Sequence, residues 1–259
     1  MTRWKITIEY EGTNYSGFQW QPDLPTIQGS LEDALYGFCQ KKIRIHGAGR
    51  TDAGVHACGQ IAHFDLDYKT SDGDERPLDG FHFAKALNAH LHPQPISIVD
   101  AQIVDDEFHA RFDAKKKHYL YRIINRPNRL ALDQGRAWWT KKQLDTDAMY
   151  KAGQYLIGEH DFTTFRDTKC QARSPIRSID KIDIEVNEIL NGQEIIIHVR
   201  GRAFLHHMVR NIAGTLFMVG EGKWKVDDVK TALDAKDRTA GGPTAPADGL
   251  YLQSINYTD

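Results

Sequence analysis

Residues 47–66, GAGRTDAGVHACGQIAHFDL, decide how this chain is read. Gly47, Gly49 and Gly54 fall within eight positions, and glycine permits tight turns and close approach of another backbone or a ligand. The second part, GQIAHFDL, alternates apolar and polar side chains, the period of a half-buried strand. A short strand, KIRIH (42–46), runs into the loop from the other side. A glycine-rich turn set between strands thus carries Arg50, Asp52 and, four residues after the aspartate, His56.

Working outward, WKITIEY (4–10) alternates Trp4, Ile6, Ile8 and Tyr10 as a strand, and EGTNYSG (11–17) is a loop. Thr26 is placed as a helix cap, with Ile27, Leu31, Ala34, Leu35 and Phe38 on one helical face. Asp67 to Gly80 is polar, acidic and contains Gly and Pro, so an exposed loop is expected. A helix over 81–91 and a strand over 96–104 complete the first half. In the second half HYLYRII (118–124) reads as a strand, and Thr146 or Asp147 can cap a helix running through Leu156. IRSIDKIDIEV (176–186) and QEIIIHVR (193–200) read as paired strands joined by a turn at Asn191 and Gly192. AFLHHMVRNIAGTLFMVG (203–220) is the strongest helix, with Phe204, Met208, Ile212, Leu216 and Val219 on one face. VDDVKTALDA is a short amphipathic helix, GGPTAPADG a breaker-rich loop, and LYLQSINY a closing strand.

Each half contributes strands and helices in a similar order, without a residue-level repeat. The expected class is α+β, with an antiparallel sheet flanked by helices and built from two similar α+β halves. The boundary is expected near 112–117, giving an N-terminal half 1–112 with the Asp52 loop and a C-terminal half 113–259, packed as one body.

The 259 residues are 41% hydrophobic and 26% charged, a globular balance that argues against disorder. Thirty-three Lys and Arg against 35 Asp and Glu leave a formal net charge of −2. That excludes coating nucleic acid by bulk charge and leaves room for a local basic groove. Cys39, Cys58 and Cys170 lie far apart, which gives neither a disulfide framework nor a thiolate zinc site and fits a reducing compartment. The N-terminal MTRWKITIEYEG holds no apolar run of signal-peptide length, and no apolar segment approaches membrane-spanning length, so a soluble, cytoplasmic protein is expected.

The 47–56 loop is not a dinucleotide fingerprint, because Asp52 stands where GxGxxG needs its third glycine. No Walker A or HExxH motif is present. The plain structural reading has Asp52 capping a helix and Arg50 facing water. A metal-dependent hydrolase would place Asp52 and His56 on one helical face. His206 and His207, adjacent on a helix, would diverge and could not easily grip the same ion. Residues 111–129, RFDAKKKHYLYRIINRPNR, hold seven Lys or Arg against one Asp, with Phe112, Tyr119 and Tyr121 interleaved. This is either a lysine-guarded strand edge or a phosphate-binding surface with aromatic groups near a base. Arg200, Arg202 and Arg210 form a later basic cluster. Arg210 falls inside an apolar helix pattern, where a carboxylate is its natural partner and Asp52 a candidate.

Five segments together resemble the tRNA pseudouridine synthase A family: YEGTNYSGFQWQ (10–21), AGRTDAGVHA (48–57), FHARFDAKKKHYLY (108–121), HHMVRNIAG (206–214) and GPTAPADGLYL (242–252). Phe18 departs from the tryptophan the family often carries there, and the Asp67 to Gly80 loop looks longer than typical. The resemblance implies the pseudouridine synthase fold and isomerisation of uridine at positions 38, 39 and 40 of the tRNA anticodon stem-loop. It implies no cofactor, no catalytic metal, a homodimer, and tRNA as partner. Asp52 resembles the nucleophile, Tyr119 the tyrosine that stacks on uracil, and Arg210 the basic partner that keeps the aspartate ionised. Arg50 resembles the arginine beside the nucleophile and Leu250 an apolar wall of the uracil pocket. Lys115, Lys116 and Lys117 are candidate RNA contacts on the basic strand. A catalytically silent RNA-binding protein and a metal-dependent hydrolase are the competing classes.

Overall fold

Strand β1 (Thr2–Tyr10) forms as its alternation predicts: Trp4, Ile6, Ile8 and Tyr10 are buried, and the residues between them are not. The structure, a computed structural model, describes residues 1–67 and 79–258. Most of the loop expected between Asp67 and Gly80 therefore lies outside the described residues. Helix α1 (Ile27–Cys39) starts at Thr26, whose hydroxyl accepts the Gly29 amide at 3.2 Å. Its apolar stripe is buried through Ile27, Leu31, Ala34 and Leu35.

The strand expected at 42–46 shrinks to β2 (His46–Gly47). The cause is local. The Ile45 amide donates to Glu32 Oε1 at 3.1 Å, and its carbonyl accepts from Gln28 Nε2 at 3.1 Å, so α1 side chains replace the ladder. Strand β3 (His56–Leu66) follows the glycine loop, then α2 (Gly80–Leu91), capped by Asp79, and β4 (Ile96–Val104).

The second stretch runs β5 (Lys116–Asn125), β6 (Trp138–Thr140), α3 (Thr146–Gln154), β7 (Gly158–Asp161), β8 (Ile176–Ile189), β9 (Gly192–Gly201), α4 (Met208–Gly220) and α5 (Asp228–Ala235). Strand β10 (Leu250–Asn256) ends the fold. Asp145, rather than Thr146 or Asp147, caps α3, accepting the Ala148 amide at 2.9 Å.

Backbone packing divides the chain into two compact units, Met1–Lys115 with Leu252–Asp259, and Lys116–Tyr251. In the first, the strand order is β4-β1-β3-β10, with β2 beside β3. Strand β1 pairs antiparallel with both β3 and β4. The α1 and α2 faces supply Leu35, Phe83 and Leu87 to its core. In the second, the order is β5-β9-β8-β7. Its ladders are antiparallel except for β6, which pairs parallel with Ile123–Asn125. The β8–β9 hairpin turns at Leu190 and Asn191, with Asn191 in the left-handed region at φ 57°. Helix α4 is buried almost all round, as a central helix must be when apolar residues surround its axis.

Candidate active site

The Asp52 loop is fixed from both ends by residues far away in sequence. Between β2 and β3 the chain turns at Asp52, whose carbonyl accepts the Val55 amide at 3.2 Å. Thr51, immediately before it, is buried. Its side-chain oxygen lies 2.8 Å from the Tyr10 hydroxyl, and its carbonyl accepts the Phe18 amide at 3.0 Å. Gln60, fully buried in β3, donates its side-chain amide to the Gly49 carbonyl at 3.0 Å. The Gly54 amide donates to Tyr15 at 3.2 Å.

The loop over 11–17 is thus a clamp laid against the aspartate turn. Its glycines are required by proximity. A Cβ on Gly12 would fall on the Val55 carbonyl, and one on Gly17, at φ 95°, would stand 2.6 Å from the Thr51 oxygen. The Phe18 ring is buried and lies where a Gly47 side chain would have to go. The Tyr10 hydroxyl is buried, which pushes its pKa up to about 12 even though Thr51 and Gln60 draw it down. It therefore stays a neutral hydrogen-bonding group.

Asp52 is half-buried and Arg50 exposed. Asp52 caps no helix, because the next element is a strand. His56 opens β3 rather than sharing a helical face with Asp52. His56 is 1% exposed, and its Nδ1 accepts the Gly12 amide at 3.0 Å, a bond that holds the clamp rather than a ligand.

Tyr119, Arg210 and Leu250 belong to the other unit. Tyr119 is buried on the same face of β5 as Tyr121 and Ile123, paired with Val199 of β9. The Phe204 ring stands edge-on to it, centroids 5.1 Å apart. Arg210 lies in the first turn of α4. Its Nε donates to the Ala245 carbonyl at 2.7 Å, and the Ala245 amide returns a bond to the Arg210 carbonyl at 3.1 Å. The Tyr121 hydroxyl donates to Pro246 at 2.8 Å. Burial raises its pKa well above the ordinary tyrosine value, although Arg210 draws it down. Leu250 is buried at the start of β10. Of the basic strand, Lys115 and Lys116 are exposed and Lys117 half-buried.

Helix α4 begins at Met208, five residues later than its apolar pattern suggests. His207 adopts φ 61°, which breaks the helix before it starts. His206 and His207 are therefore not on a helix. Their rings pack 4.0 Å apart, and His207 Nδ1 sits 2.7 Å from Asp167 Oδ2. Asn211 is the residue that periodicity missed. Fully enclosed, it donates to the Phe165 carbonyl at 2.8 Å and accepts from Thr244 at 2.6 Å and Arg238 at 3.1 Å. It anchors the loop that Arg210 also grips. A lone amide inside an apolar helix run was the available signal.

A family model described as tRNA pseudouridine synthase matches residues 6–113 and 152–258. Among curated proteins, the chain is 52% identical over 257 residues to "tRNA pseudouridine synthase A" of Rhodopseudomonas palustris (strain BisA53), covering 99% of this chain and 100% of that one. It is 49% identical, with 99% and 100% covered, to the protein of the same name from Bradyrhizobium diazoefficiens (strain JCM 10833 / BCRC 13528 / IAM 13628 / NBRC 14792 / USDA 110). Likeness of this extent, falling on both α+β halves and on every segment that builds the Asp52 clamp and the Arg210 loop, is decisive: the chain belongs to the tRNA pseudouridine synthase family of isomerases.

Proposed function

We propose that this protein isomerises uridine to pseudouridine at positions 38, 39 and 40 of the tRNA anticodon stem-loop, with Asp52 as the nucleophile. The observation that carries the reading is the clamp around Asp52: buried Tyr10, Thr51, Gln60 and His56 hold a half-buried carboxylate in a turn that forms no cap. A rigid loop around one carboxylate is what nucleophilic attack needs, since misplacement by an ångström costs rate steeply.

The chemistry assigns the rest. A stem uridine is stacked and must leave the helix before it can react. Tyr119, on a rigid strand, offers a ring for the extruded uracil, and Leu250 an apolar wall. Asp52 attacks either the ribose C1′, displacing uracil, or the uracil C6. The base then turns, C5 bonds to C1′ in place of N1, the bond to Asp52 breaks to free the carboxylate, the C5 proton leaves to solvent and N1 takes up a proton. One glycosidic bond is exchanged for another, so the reaction consumes no redox equivalent and no nucleotide, and neither cofactor nor metal is assigned a role. Arg210 supplies the basic group of the site. Arg50 guides the flipped base, and Lys115, Lys116 and Lys117 bind phosphates. The working form is a homodimer in the cytoplasm. No described helix is long and apolar enough to cross a membrane.

Mapping pseudouridine in unmodified tRNA treated with the purified protein, by carbodiimide adducts that stop reverse transcription, tests this. Stops at 38, 39 or 40 support the reading. Stops elsewhere in the tRNA alone would contradict the site assignment.

A further inference from the structure

The turn after β4 displays an aromatic ring that neither the fold nor the proposed chemistry uses. Phe112 is 72% exposed. It is nonetheless held in place. The His109 amide donates to Asp113 Oδ2 at 2.7 Å, and the Asp113 amide returns to the His109 carbonyl at 3.1 Å. His109 Nδ1 accepts the Arg111 amide at 3.1 Å and the Phe112 amide at 3.4 Å. Four hydrogen bonds wire one five-residue turn whose apolar ring faces water.

Behind that ring lies a ladder of imidazoles. Phe112 packs on His109 with centroids 4.2 Å apart and planes 34° apart. His109 meets His63 at 4.6 Å, and His63 stacks on His46 at 5.1 Å. His63 Nδ1 accepts the Ala110 amide at 3.2 Å, which ties the ladder to the same turn. Burial and the neighbouring imidazoles hold His63 down to about 4 and lower His109, so these two rings are uncharged at neutral pH and do not repel one another. Phe112 is therefore backed by His109, which itself meets His63 in a T-shaped contact, and the ring stays largely exposed.

The charges beside it select the occupant. Arg111 and Lys115, both exposed, flank the ring in sequence, while Asp105, Asp106 and Glu107 come before Phe108. Asp113 is turned back onto the His109 amide. A preorganised ring with exposed cations near it in sequence suits an unstacked nucleobase with its phosphates, because aromatic stacking accepts any base and Arg or Lys takes the backbone. A protein partner would be expected to need a wider apolar face than one ring.

From this we infer that Phe112 is a stacking platform for an unpaired base of the RNA substrate other than the reacting uracil. The inference rests on the proposed tRNA reading and adds to it a second point of base contact. Its role is affinity and register.

The test measures tRNA binding by fluorescence anisotropy at fixed salt, with isomerisation followed in parallel, for wild type, Phe112→Ala, Phe112→Leu and Phe112→Trp. Circular dichroism and sedimentation are recorded for each. Stacking by one base predicts binding weakened roughly five- to 100-fold in Phe112→Ala. Phe112→Leu, apolar but unable to stack, should be weakened nearly as much, and Phe112→Trp should bind at least as tightly as wild type. The loss should appear in KM more than in kcat. Folded Phe112→Ala that binds within twofold of a tRNA-binding wild type overturns the inference. So does rescue by leucine, or an altered oligomeric state without altered RNA binding, which would make the ring a protein contact. Failure of wild type itself to bind tRNA would instead overturn the proposed substrate and the platform with it.

Discussion

The Tyr10 hydroxyl and the Thr51 side chain meet at 2.8 Å in a fully buried hydrogen bond, joining the end of β1 to the residue beside Asp52. Strand and Asp52 loop are thereby coupled across 41 residues of chain. Tyr10→Phe removes the bond while keeping the ring. It should cost about 1–2 kcal/mol of stability, since it leaves a buried Thr51 hydroxyl without this partner. It should also lower kcat for isomerisation at least fivefold with little change in tRNA affinity. A wild-type kcat in a folded variant would show that the loop keeps its geometry without β1.

Gly17 and Gly222 separate backbone strain from collision. Both have positive φ, 95° and 71°. A Cβ on Gly17 would press on the Thr51 carbonyl and the Asp52 backbone, whereas nothing lies within 4 Å of one on Gly222. Gly222→Ala should cost about 1 kcal/mol from φ alone. Gly17→Ala should cost clearly more and depress isomerisation besides. Equal losses in urea denaturation, with activity intact in both, would contradict the clamp.

Much of this fold was legible in the sequence, and the exceptions have physical causes. The β1 alternation, the Thr26 cap and the β8–β9 hairpin are local signals, and the structure repeats them, with the hairpin turn one residue earlier than expected, at Leu190 and Asn191. The strand expected at 42–46 shortened because Gln28 and Glu32, a helix away, satisfy its backbone. The start of α4 moved because His207 takes a left-handed conformation that no composition signals. At the site, the glycines and Asp52 stood out at once. That residues 10–18 wrap them did not, because periodicity reports which face is buried and not what it is buried against. Gln60 and Asn211 could be noticed only as polar residues in apolar runs.

Stability should fall with acid over a defined window. His63 and His118 are each held near a pKa of about 4, chiefly by burial and then by nearby cations and imidazoles, although Asp65 and Asp183 oppose this. For a base whose folded pKa lies below its unfolded value of about 6.5, folding favours the neutral form. The contribution is complete above pH 6.5 or so, declines as pH falls through the window, and is exhausted below about 4. Urea midpoints measured from pH 7.5 to 4 should decrease, and His118→Gln should flatten the slope. A wild-type slope in the variant would show that His118 titrates normally.

Reversing Lys115, Lys116 and Lys117 together to Glu should weaken tRNA binding at low salt and reduce the slope of log K against log salt by about two, if each lysine meets one phosphate. The slope from a salt titration of the folded variant reads this directly. An unchanged slope would remove the strand from the RNA surface.

Asp52 is the residue proposed to perform the isomerisation. Pseudouridine formation must release the proton on uridine C5, so tRNA labelled with tritium at that position reports each turnover as tritium in water. The wild-type protein should release tritium, and Asp52→Asn, folded and binding the same tRNA, should release none above background. Release by the variant at a rate near wild type, with contaminating enzyme excluded, would contradict the account.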